Sequence, residues 1–339
     1  MVFSTLLTSL LAASTAVQAG VIWPSNANTT SMHTLERRAY SRQVYAATPT
    51  DFYNVFDFHT EPDPSGGTVQ YVDQGTASSL GMIGTGRNGG FRFGVDSHTA
   101  NANPRKSVRL QSKAGYGYGV YVFDVAHAPV GCGTWPALWT YTRGTWPDGG
   151  EIDIYEGVNG VAPNQATLHT GPGCIKAPSA LQTGTNVSPT DCNVKDGANG
   201  NAGCAVFMPS SNSFGAGLNA NGGGVFAMQY VAEGVFVWFW PSSSAPAGTK
   251  RGDSRTIDVA SWGTPTAAFP FYDGCTASHI DTNQQVTMNI DFCGGFVNSR
   301  PGSSCGMVAN NAQCIAYVQN NPSAFTEAYF DVNAFAFWA

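Results

Sequence analysis

Three acidic residues stand within six positions near the middle of the chain, as Glu151, Asp153 and Glu156. The apolar residues between them are typical of a β-strand, in which successive side chains point to opposite faces. On a regular strand Glu151 and Asp153 would share a face, and Glu156 would point away from it. One extra residue at Ile154-Tyr155, a β-bulge, would return Glu156 to the first face, and bulges often re-aim side chains beside active sites.

Crowded carboxyl groups are suited to acid–base and nucleophilic chemistry, because burial and mutual repulsion push their pKa values apart. With the bulge, the Cα atoms of Glu151 and Glu156 lie about four strand steps apart, roughly 13 Å. Side chains that lean inward bring the carboxyl groups near the ~5–5.5 Å of retaining glycoside hydrolysis, whereas inversion needs ~6.5–9.5 Å. The spacing therefore predicts one glutamate as nucleophile and the other as proton donor, with Asp153 tuning the ionisation of a glutamate.

The same three acids allow two other interpretations. They could form a solvated polar strand face, although like charges on one face destabilise a sheet and the chain has only 22 acidic residues. They could also ligate calcium, which takes carboxylate oxygens, but the flanking ligand spacing of a calcium loop is missing. We therefore predict neither a metal nor a cofactor for this site.

Aromatic residues flank the acidic strand. Trp135 and Trp139 share a face if their segment is extended, and Trp146 precedes the acids by a few positions. Indole rings stack on the apolar faces of pyranose rings, so these residues predict a sugar platform, although one of the three could equally belong to the core. His169 falls in what should be the next strand, and we expect it to reach the Glu156 end of the site, although a lone histidine is more often structural.

The composition restricts the class of partner. Only 11% of the 339 residues are charged, against about 25% in a typical soluble domain, and the net charge is −6. No cluster of Lys and Arg is present, which argues against nucleic acid and against an anionic membrane surface. A neutral polymer such as a polysaccharide fits this surface better.

The pattern of elements predicts an all-β fold. Alternating runs, such as residues 119–125 and 286–292, are separated by many of the 40 Gly and 19 Pro residues. Residues 225–231 and 235–240 predict a β-hairpin whose second strand, apolar on both faces, is covered on both sides. Residues 171–224 and 294–313 are predicted as long loops with little internal structure. One antiparallel β-sandwich over residues 39–339 is the simplest interpretation.

The N-terminal region predicts export. Residues 1–19 are typical of a secretory signal that ends at Val17-Gln18-Ala19. Residues 20–38, which show no strand or helix periodicity and end in Arg37-Arg38, suggest a pro-segment or a disordered arm. No second apolar stretch follows, so we expect a released, extracellular monomer without a membrane partner. Asn28 and Asn186 begin glycosylation sequons, which predict a glycoprotein.

Eight cysteines accompany this signal, and their even number in a secreted chain predicts disulfides. The chain contains neither a Cys-x-x-Cys pair nor the histidine spacing of a zinc site, so structural zinc is not expected. The connectivity stays open, because eight cysteines allow about 105 pairings.

These residues resemble glycoside hydrolase family 16, and within it the fungal laminarinase-like endo-1,3(4)-β-glucanases. The family's Glu-x-Asp-x-x-Glu signature is present at residues 151–156, and the resemblance covers nearly all of residues 40–339. The other matching segments are residues 56–58, 63–64, 105–109, 123–139, 222–227, 238–241, 292–294, 321–322 and 328–329. One departure occurs after Gly294, where the Asp-Trp pair of the family is replaced by Gly295-Phe296.

The resemblance implies an antiparallel β-jelly-roll sandwich with an open substrate cleft, and a double-displacement mechanism. Glu151 would be the nucleophile, Glu156 the acid/base and Asp153 their assistant. The residues that would line the sugar cleft are Arg109, Trp139, Trp146 and His169, with Trp135 as a further candidate. The expected activity is hydrolysis of internal β-1,3 or mixed β-1,3/1,4 bonds of a β-glucan, with a glucan transglycosylase or a non-catalytic glucan-binding protein as alternatives.

Overall fold

The computed structural model describes residues 22–26, 29–34, 39–300, 302 and 305–339. The predicted signal at residues 1–19, the dibasic pair Arg37-Arg38 and the sequon residue Asn28 lie outside this range. Within the predicted pro-segment, β1 (Ile22–Asn26) and β2 (Thr29–Thr34) form an antiparallel hairpin. The sequence of residues 20–38 shows no strand periodicity, but backbone hydrogen bonds can pair two extended segments without any side-chain alternation. The pro-segment stays a prediction.

Two large antiparallel sheets carry most of the remaining strands. The eight-stranded sheet runs in the order β14 (Thr185–Val187), β15 (Cys204–Phe207), β13 (Gln165–His169), β12 (Glu151–Glu156), β11 (Thr134–Thr142), β20 (Gln284–Phe292), β9 (Arg109–Tyr116) and β4 (Phe56–Phe58). The nine-stranded sheet runs in the order β18 (Thr256–Asp258), β3 (Ala39–Ala46), β21 (Tyr329–Trp338), β10 (Gly119–His127), β16 (Gly224–Val231), β17 (Gly234–Pro241) and β19 (Ala267–Pro270). Its other two strands are β6 (Ile83–Thr85) and β7 (Phe91–Gly94). A short parallel pair, β5 (Val69–Tyr71) and β8 (Arg105–Ser107), completes the strands.

Strand alternation separates the core from the site. On β20 the side chains of Val286, Met288 and Ile290 join the main hydrophobic core, whereas Asn289 and Asp291 belong to the opposite face. The predicted hairpin is confirmed as β16 and β17. Its second strand is covered on both faces as expected, because alternate residues of β17 pack into the main core and into a second, smaller apolar cluster.

The two segments predicted as loops contain more structure than expected. Residues 171–224 include β14, β15 and α3 (Gly215–Ala220), and residues 294–313 include α4 (Gly294–Ser299) and the start of α5 (Asn311–Asn320). The short helices α1 (Pro49–Val55) and α2 (Gln74–Ser79) lie before β8. A helix of one or two turns has too little periodicity to be recognised in a sequence, and tertiary packing stabilises it instead. None of the helices in the described part of the chain is long and apolar enough to cross a membrane.

The predicted disulfides are confirmed, since all eight cysteines are paired. The bonds join Cys132 to Cys305, Cys174 to Cys275, Cys192 to Cys204, and Cys293 to Cys314. Three of the four have one or both ends in the segments that were predicted as loops. The cross-links therefore stabilise the parts of the chain that bury the least apolar surface of their own.

Candidate active site

The bulge predicted in β12 is present. Strand β11 pairs with β12 so that residues 141, 139 and 137 lie opposite Glu151, Asp153 and Glu156 respectively. The register shifts between Asp153 and Tyr155, which leaves one extra residue on β12. Because residues 137, 139 and 141 alternate along a regular strand, their three acidic partners share one face. The glutamates are separated by four steps of the partner strand, as the sequence predicted.

The opposite face of β12 holds the strand in place. Ile152, Ile154 and Tyr155 are fully buried in the core between the sheets. At the start of the strand Gly150 has φ +77°, and a Cβ added there would collide with Ile280. The strand is therefore fixed by the core on one side and by a close backbone approach at its first residue, which keeps the acidic face in one orientation.

Each glutamate receives a hydrogen bond from an indole. Trp146 Nε1 donates to Glu151 Oε2 at 2.5 Å, and Trp135 Nε1 donates to Glu156 Oε1 at 2.8 Å. A donor directed at a carboxylate stabilises its ionised form. The two tryptophans thus act on different acids, and Trp146 is itself 42% exposed.

Asp153 lies beside His169. The Nε2 atom of His169 is 3.0 Å from Asp153 Oδ2, and in the strand register His169 lies opposite Glu151. The expectation that His169 would reach the Glu156 end was therefore wrong, because its position on β13 is set by pairing with the first residue of β12. The pair places a potential positive charge next to the most buried of the three acids.

Burial dominates the electrostatics of the acidic face. It raises the pKa of Glu151 to about 8, with a further contribution from the charge of Asp153. Burial also raises the pKa of Asp153, and the charge of Glu156 raises it further. Burial raises the pKa of Glu156 as well, whereas the charge of His169 and the hydrogen bond from Trp135 lower it. The three carboxyl groups therefore retain at least one proton at neutral pH, as expected for acids that share a small volume.

The predicted cleft residues come together on the same face of the eight-stranded sheet. Arg109, Asn289 and Ala137 are aligned across adjacent strands and continue to Glu156. The guanidinium of Arg109 lies 5.1 Å from the ring centroid of Trp139. Trp139 Nε1 donates to Asn289 Oδ1 at 2.7 Å, which fixes the plane of the indole.

Several residues of this surface were missed in the sequence. Tyr71 lies 5.8 Å from the Arg109 guanidinium and its hydroxyl accepts a hydrogen bond from Asn289, while Tyr141 stacks on Trp139 at 5.0 Å. The alternation of β20 could have identified Asn289, because it occupies the polar face of an otherwise apolar strand. No local signal in the sequence places Tyr71 there, since β5 lies outside the sheet.

Glu151, Asp153 and His169 are also close enough to share a cation, with donor atoms all within 4.8 Å of one another. Calcium takes roughly six to eight oxygen ligands, so two carboxylates and an imidazole make a poor calcium site. The contact of 3.0 Å between His169 Nε2 and Asp153 Oδ2 brings two of these groups together without a cation. The absence of a metal and of a cofactor stays a prediction.

A family model described as the XgeA-like catalytic GH16 domain matches residues 56–338. The chain belongs to glycoside hydrolase family 16. It is 38% identical over 291 residues to an endo-1,3(4)-beta-glucanase of Arthroderma benhamiae, a match that covers 84% of this chain and 62% of that relative. The share of the relative's length matched is 66% for a probable glycosidase of Schizosaccharomyces pombe and 38% for a probable endo-1,3(4)-beta-glucanase of Aspergillus niger.

Solved structures of family 16 share the fold of this chain. Laminarinase 16A from Phanerochaete chrysosporium, with beta-glucans in both donor and acceptor sites, superimposes with a TM-score of 0.81 and 37% identity over 89% of this chain and 100% of that one. An elongating family 16 beta-1,3-glucosyltransferase superimposes with a TM-score of 0.79 and 34% identity over 88% of this chain and 100% of that one. The expected all-β sandwich of the jelly-roll type is therefore confirmed.

Proposed function

We propose that this chain is a secreted, retaining endo-β-glucanase that hydrolyses internal β-1,3 or mixed β-1,3/1,4 glucosidic bonds. The observation that carries the proposal is the bulged strand, which turns Glu151 and Glu156 to one face and gives each its own indole donor. Two carboxyl groups in different hydrogen-bonding environments are what the two steps of retaining hydrolysis require.

In the first step Glu151 attacks the anomeric carbon while Glu156 gives its proton to the departing glycosidic oxygen. In the second step Glu156 takes a proton from water, which attacks the same carbon and breaks the bond to Glu151. Asp153 retains a proton of the crowded face, because burial and the charge of Glu156 raise its pKa, so that Glu151 can ionise beside it. The Trp146 donor and the charge of His169 both lower the pKa of Glu151 against the effect of burial.

A β-glucan is the substrate best supported by the surroundings and the comparisons. Trp139, Tyr141 and Arg109 make an aromatic platform beside the acids, suited to flat pyranose rings. The relatives are named endo-1,3(4)-beta-glucanases, and the similar laminarinase holds beta-glucans. Four disulfides support an extracellular location. We further propose that the enzyme acts as a monomer without a cofactor.

Transglycosylation is the second candidate, and one observation favours it. A similar family 16 chain at 34% identity is an elongating beta-1,3-glucosyltransferase. Both reactions pass through the same glycosyl-enzyme, so the outcome depends on whether water or a sugar is held beside Glu156. A non-catalytic binding protein has no use for three crowded carboxyl groups, whose desolvation destabilises the fold.

The product distribution decides between these functions. Laminarin, lichenan and xyloglucan are incubated with the protein, and product sizes and linkages are resolved over time. Shorter oligomers from laminarin or lichenan support the endo-glucanase. Products longer than the starting oligosaccharide would support the transglycosylase, and no change on any of the three substrates would refute both.

The roles of the two glutamates are tested by chemical rescue. Glu151→Ala with sodium azide and an activated aryl β-glycoside should form the inverted α-glycosyl azide, because azide occupies the place of the lost nucleophile. Glu156→Ala should instead give the β-glycosyl azide. Glu233→Ala, in the turn between β16 and β17, serves as the matched control and should leave hydrolysis unchanged. The α-azide from the Glu156 variant would show that the roles are reversed.

A further inference from the structure

Arg300 follows α4 directly and lies half-buried between two aromatic rings. Its guanidinium carbon is 4.6 Å from the ring centroid of Phe207 on β15 and 5.7 Å from that of Phe296 on α4. Its Nη1 atom donates to Gln165 Oε1 at 3.2 Å. An arginine held by two rings and an amide has few rotamers left to it, so its position is defined.

Two separate series of contacts connect this arginine to Glu156. Gln165, which Arg300 holds, lies directly opposite Glu156 in the pairing of β12 with β13. Phe296 makes an edge contact with Trp135 at 5.4 Å between ring centroids, and Trp135 donates to Glu156. Arg300 therefore supports both the strand neighbour of Glu156 and its hydrogen-bond donor.

Strand β12 divides the face of the sheet into two halves. The half formed by β11, β20 and β9 carries the platform of Trp139 and Arg109. The other half, formed by β13 and β15, carries Gln165 and Phe207, both of which Arg300 contacts. Since a glucan that is cut at β12 must extend to both sides, one half holds the glycosyl donor and the other holds the leaving sugar.

The departure at Gly295-Phe296 lies where the two halves meet, because Phe296 contacts Trp135 on β11 and Arg300, which reaches β13 and β15. A Cβ added at Gly295 would meet no atom within 4 Å, so at this position the chain contributes only backbone to an open rim. Phe296 is turned inward onto Trp135 and Arg300. Phe296 therefore links Trp135, the hydrogen-bond donor of Glu156, to the guanidinium of Arg300.

We propose that Arg300 is a positioning residue of the leaving-group side of the cleft, which fixes Gln165 and Phe296 beside Glu156 and so determines how the acceptor sugar is held. The proposal rests on the function given above, in which Glu156 protonates the leaving oxygen. It names the acceptor end of a β-glucan chain as the ligand of the β13–β15 half.

The charge of Arg300 provides an independent readout. Burial raises the pKa of Glu156, and the charge of Glu151 acts in the same direction. His169, the Trp135 donor and Arg300 all lower it. Removing the guanidinium should therefore raise the pKa of Glu156 and move the alkaline limb of the pH profile to higher pH.

The test compares a substrate that fills the acceptor side with one that does not. Arg300→Gln should lower kcat/KM on laminarihexaose about tenfold, the expected effect of losing one well-placed polar contact. On 2,4-dinitrophenyl β-laminaribioside, whose leaving group needs little protonation, the change should stay below about twofold. Arg300→Lys should return the alkaline limb toward that of the unaltered protein, because it restores the charge but not the planar stack.

Arg92→Gln is the matched control, because Arg92 also covers an aromatic ring, at 4.2 Å from that of Tyr329, but on the nine-stranded sheet. Arg92→Gln should leave kcat/KM unchanged on both substrates. Equal loss on both substrates with Arg300→Gln, or no loss on either, would overturn the proposal. If the unaltered protein cleaves neither substrate, the proposed function fails instead, which keeps the two failures distinct.

Phe296→Leu covers the case in which Arg300→Gln does not fold, as judged by thermal unfolding. The Phe296→Leu variant keeps the charge of Arg300 and removes one of the two aromatic rings beside its guanidinium. The same selective loss on laminarihexaose, without a shift of the alkaline limb, is the expected result. If Phe296→Leu changes kcat/KM by the same factor on both substrates, or on neither, the proposal is overturned here as well.

Discussion

Replacing each cleft tryptophan by phenylalanine separates the two catalytic roles. Trp146 donates to Glu151 and Trp135 donates to Glu156, whereas Trp139 donates to the neutral amide of Asn289. The change to Phe keeps an aromatic ring, removes the N–H donor and leaves a smaller side chain, and the Trp139 variant measures the effect of that loss of size. Loss of a donor raises the pKa of the carboxylate that accepted it.

The magnitude follows from the strength of the bond. A hydrogen bond to a charged group is worth about 1.5–3 kcal/mol, and we take the lower end for Trp146 because it is 42% exposed. Since about 1.4 kcal/mol corresponds to one pKa unit, each lost donor should raise its acceptor's pKa by roughly one unit. Trp135→Phe should raise the pKa of Glu156 by at least as much, because Glu156 is only 8% exposed.

The assay is the pH profile of kcat/KM on an aryl β-laminaribioside. The nucleophile must be ionised, so Trp146→Phe should move the acidic limb to higher pH. The acid/base must be protonated, so Trp135→Phe should move the alkaline limb to higher pH. Trp139→Phe is the matched control: it lowers the rate without moving either limb.

Two results would refute this reasoning in different ways. If Trp146→Phe moves the alkaline limb and Trp135→Phe the acidic one, the glutamates have the opposite roles. If all three variants keep both limbs in place, the indole donors do not control the ionisation of the acids, and burial alone sets the profile.

Three further predictions concern the acids and the cross-links. Asp153→Asn should lower kcat about a hundredfold with little change in KM, measured by reducing-end release, because the neutral amide cannot hold the proton of the acidic face. Burial raises the pKa of Asp291 to about 8, so the folded state binds a proton that the unfolded state releases above about pH 4. Stability should therefore fall by up to about 1.4 kcal/mol per pH unit between these values, and Asp291→Asn should remove that slope from a plot of Tm against pH. Replacing Cys192 and Cys204 by Ser opens a cross-link with a sequence separation of 12 and should cost about 3 kcal/mol in the free energy of unfolding, measured by urea denaturation. An unchanged urea midpoint would contradict the loop-closure account.

The geometry of the acidic strand could be predicted from the sequence because its causes are local. The spacing of the acids is compatible with one face only if a residue is extra, and the apolar residues between them must face the core. The register of β12 against β11 confirms both points. The hairpin of β16 and β17 was predictable for the same reason, since adjacent runs with a short turn pair with each other.

Contacts between distant parts of the chain could not be predicted in this way. Arg300 and Gln165 are 135 positions apart, and the sequence carries no signal that places them together beside Glu156. The position of His169 against Asp153 depends on one step of strand register, which local alternation does not fix.

The sequence by itself thus determined the bulged acidic strand, the strand-rich fold and the presence of disulfides, all of which depend on residue type and short-range spacing. Only the tertiary structure decided which cysteines pair, where the short helices form and which side chains surround each acid. These features depend on the packing of segments far apart in the chain, and no periodicity encodes that packing. The proposed leaving-group side of the cleft depends on packing of this kind. The departure at Gly295-Phe296 was visible in the sequence, but the contacts of Phe296 with Arg300 and Trp135 were not.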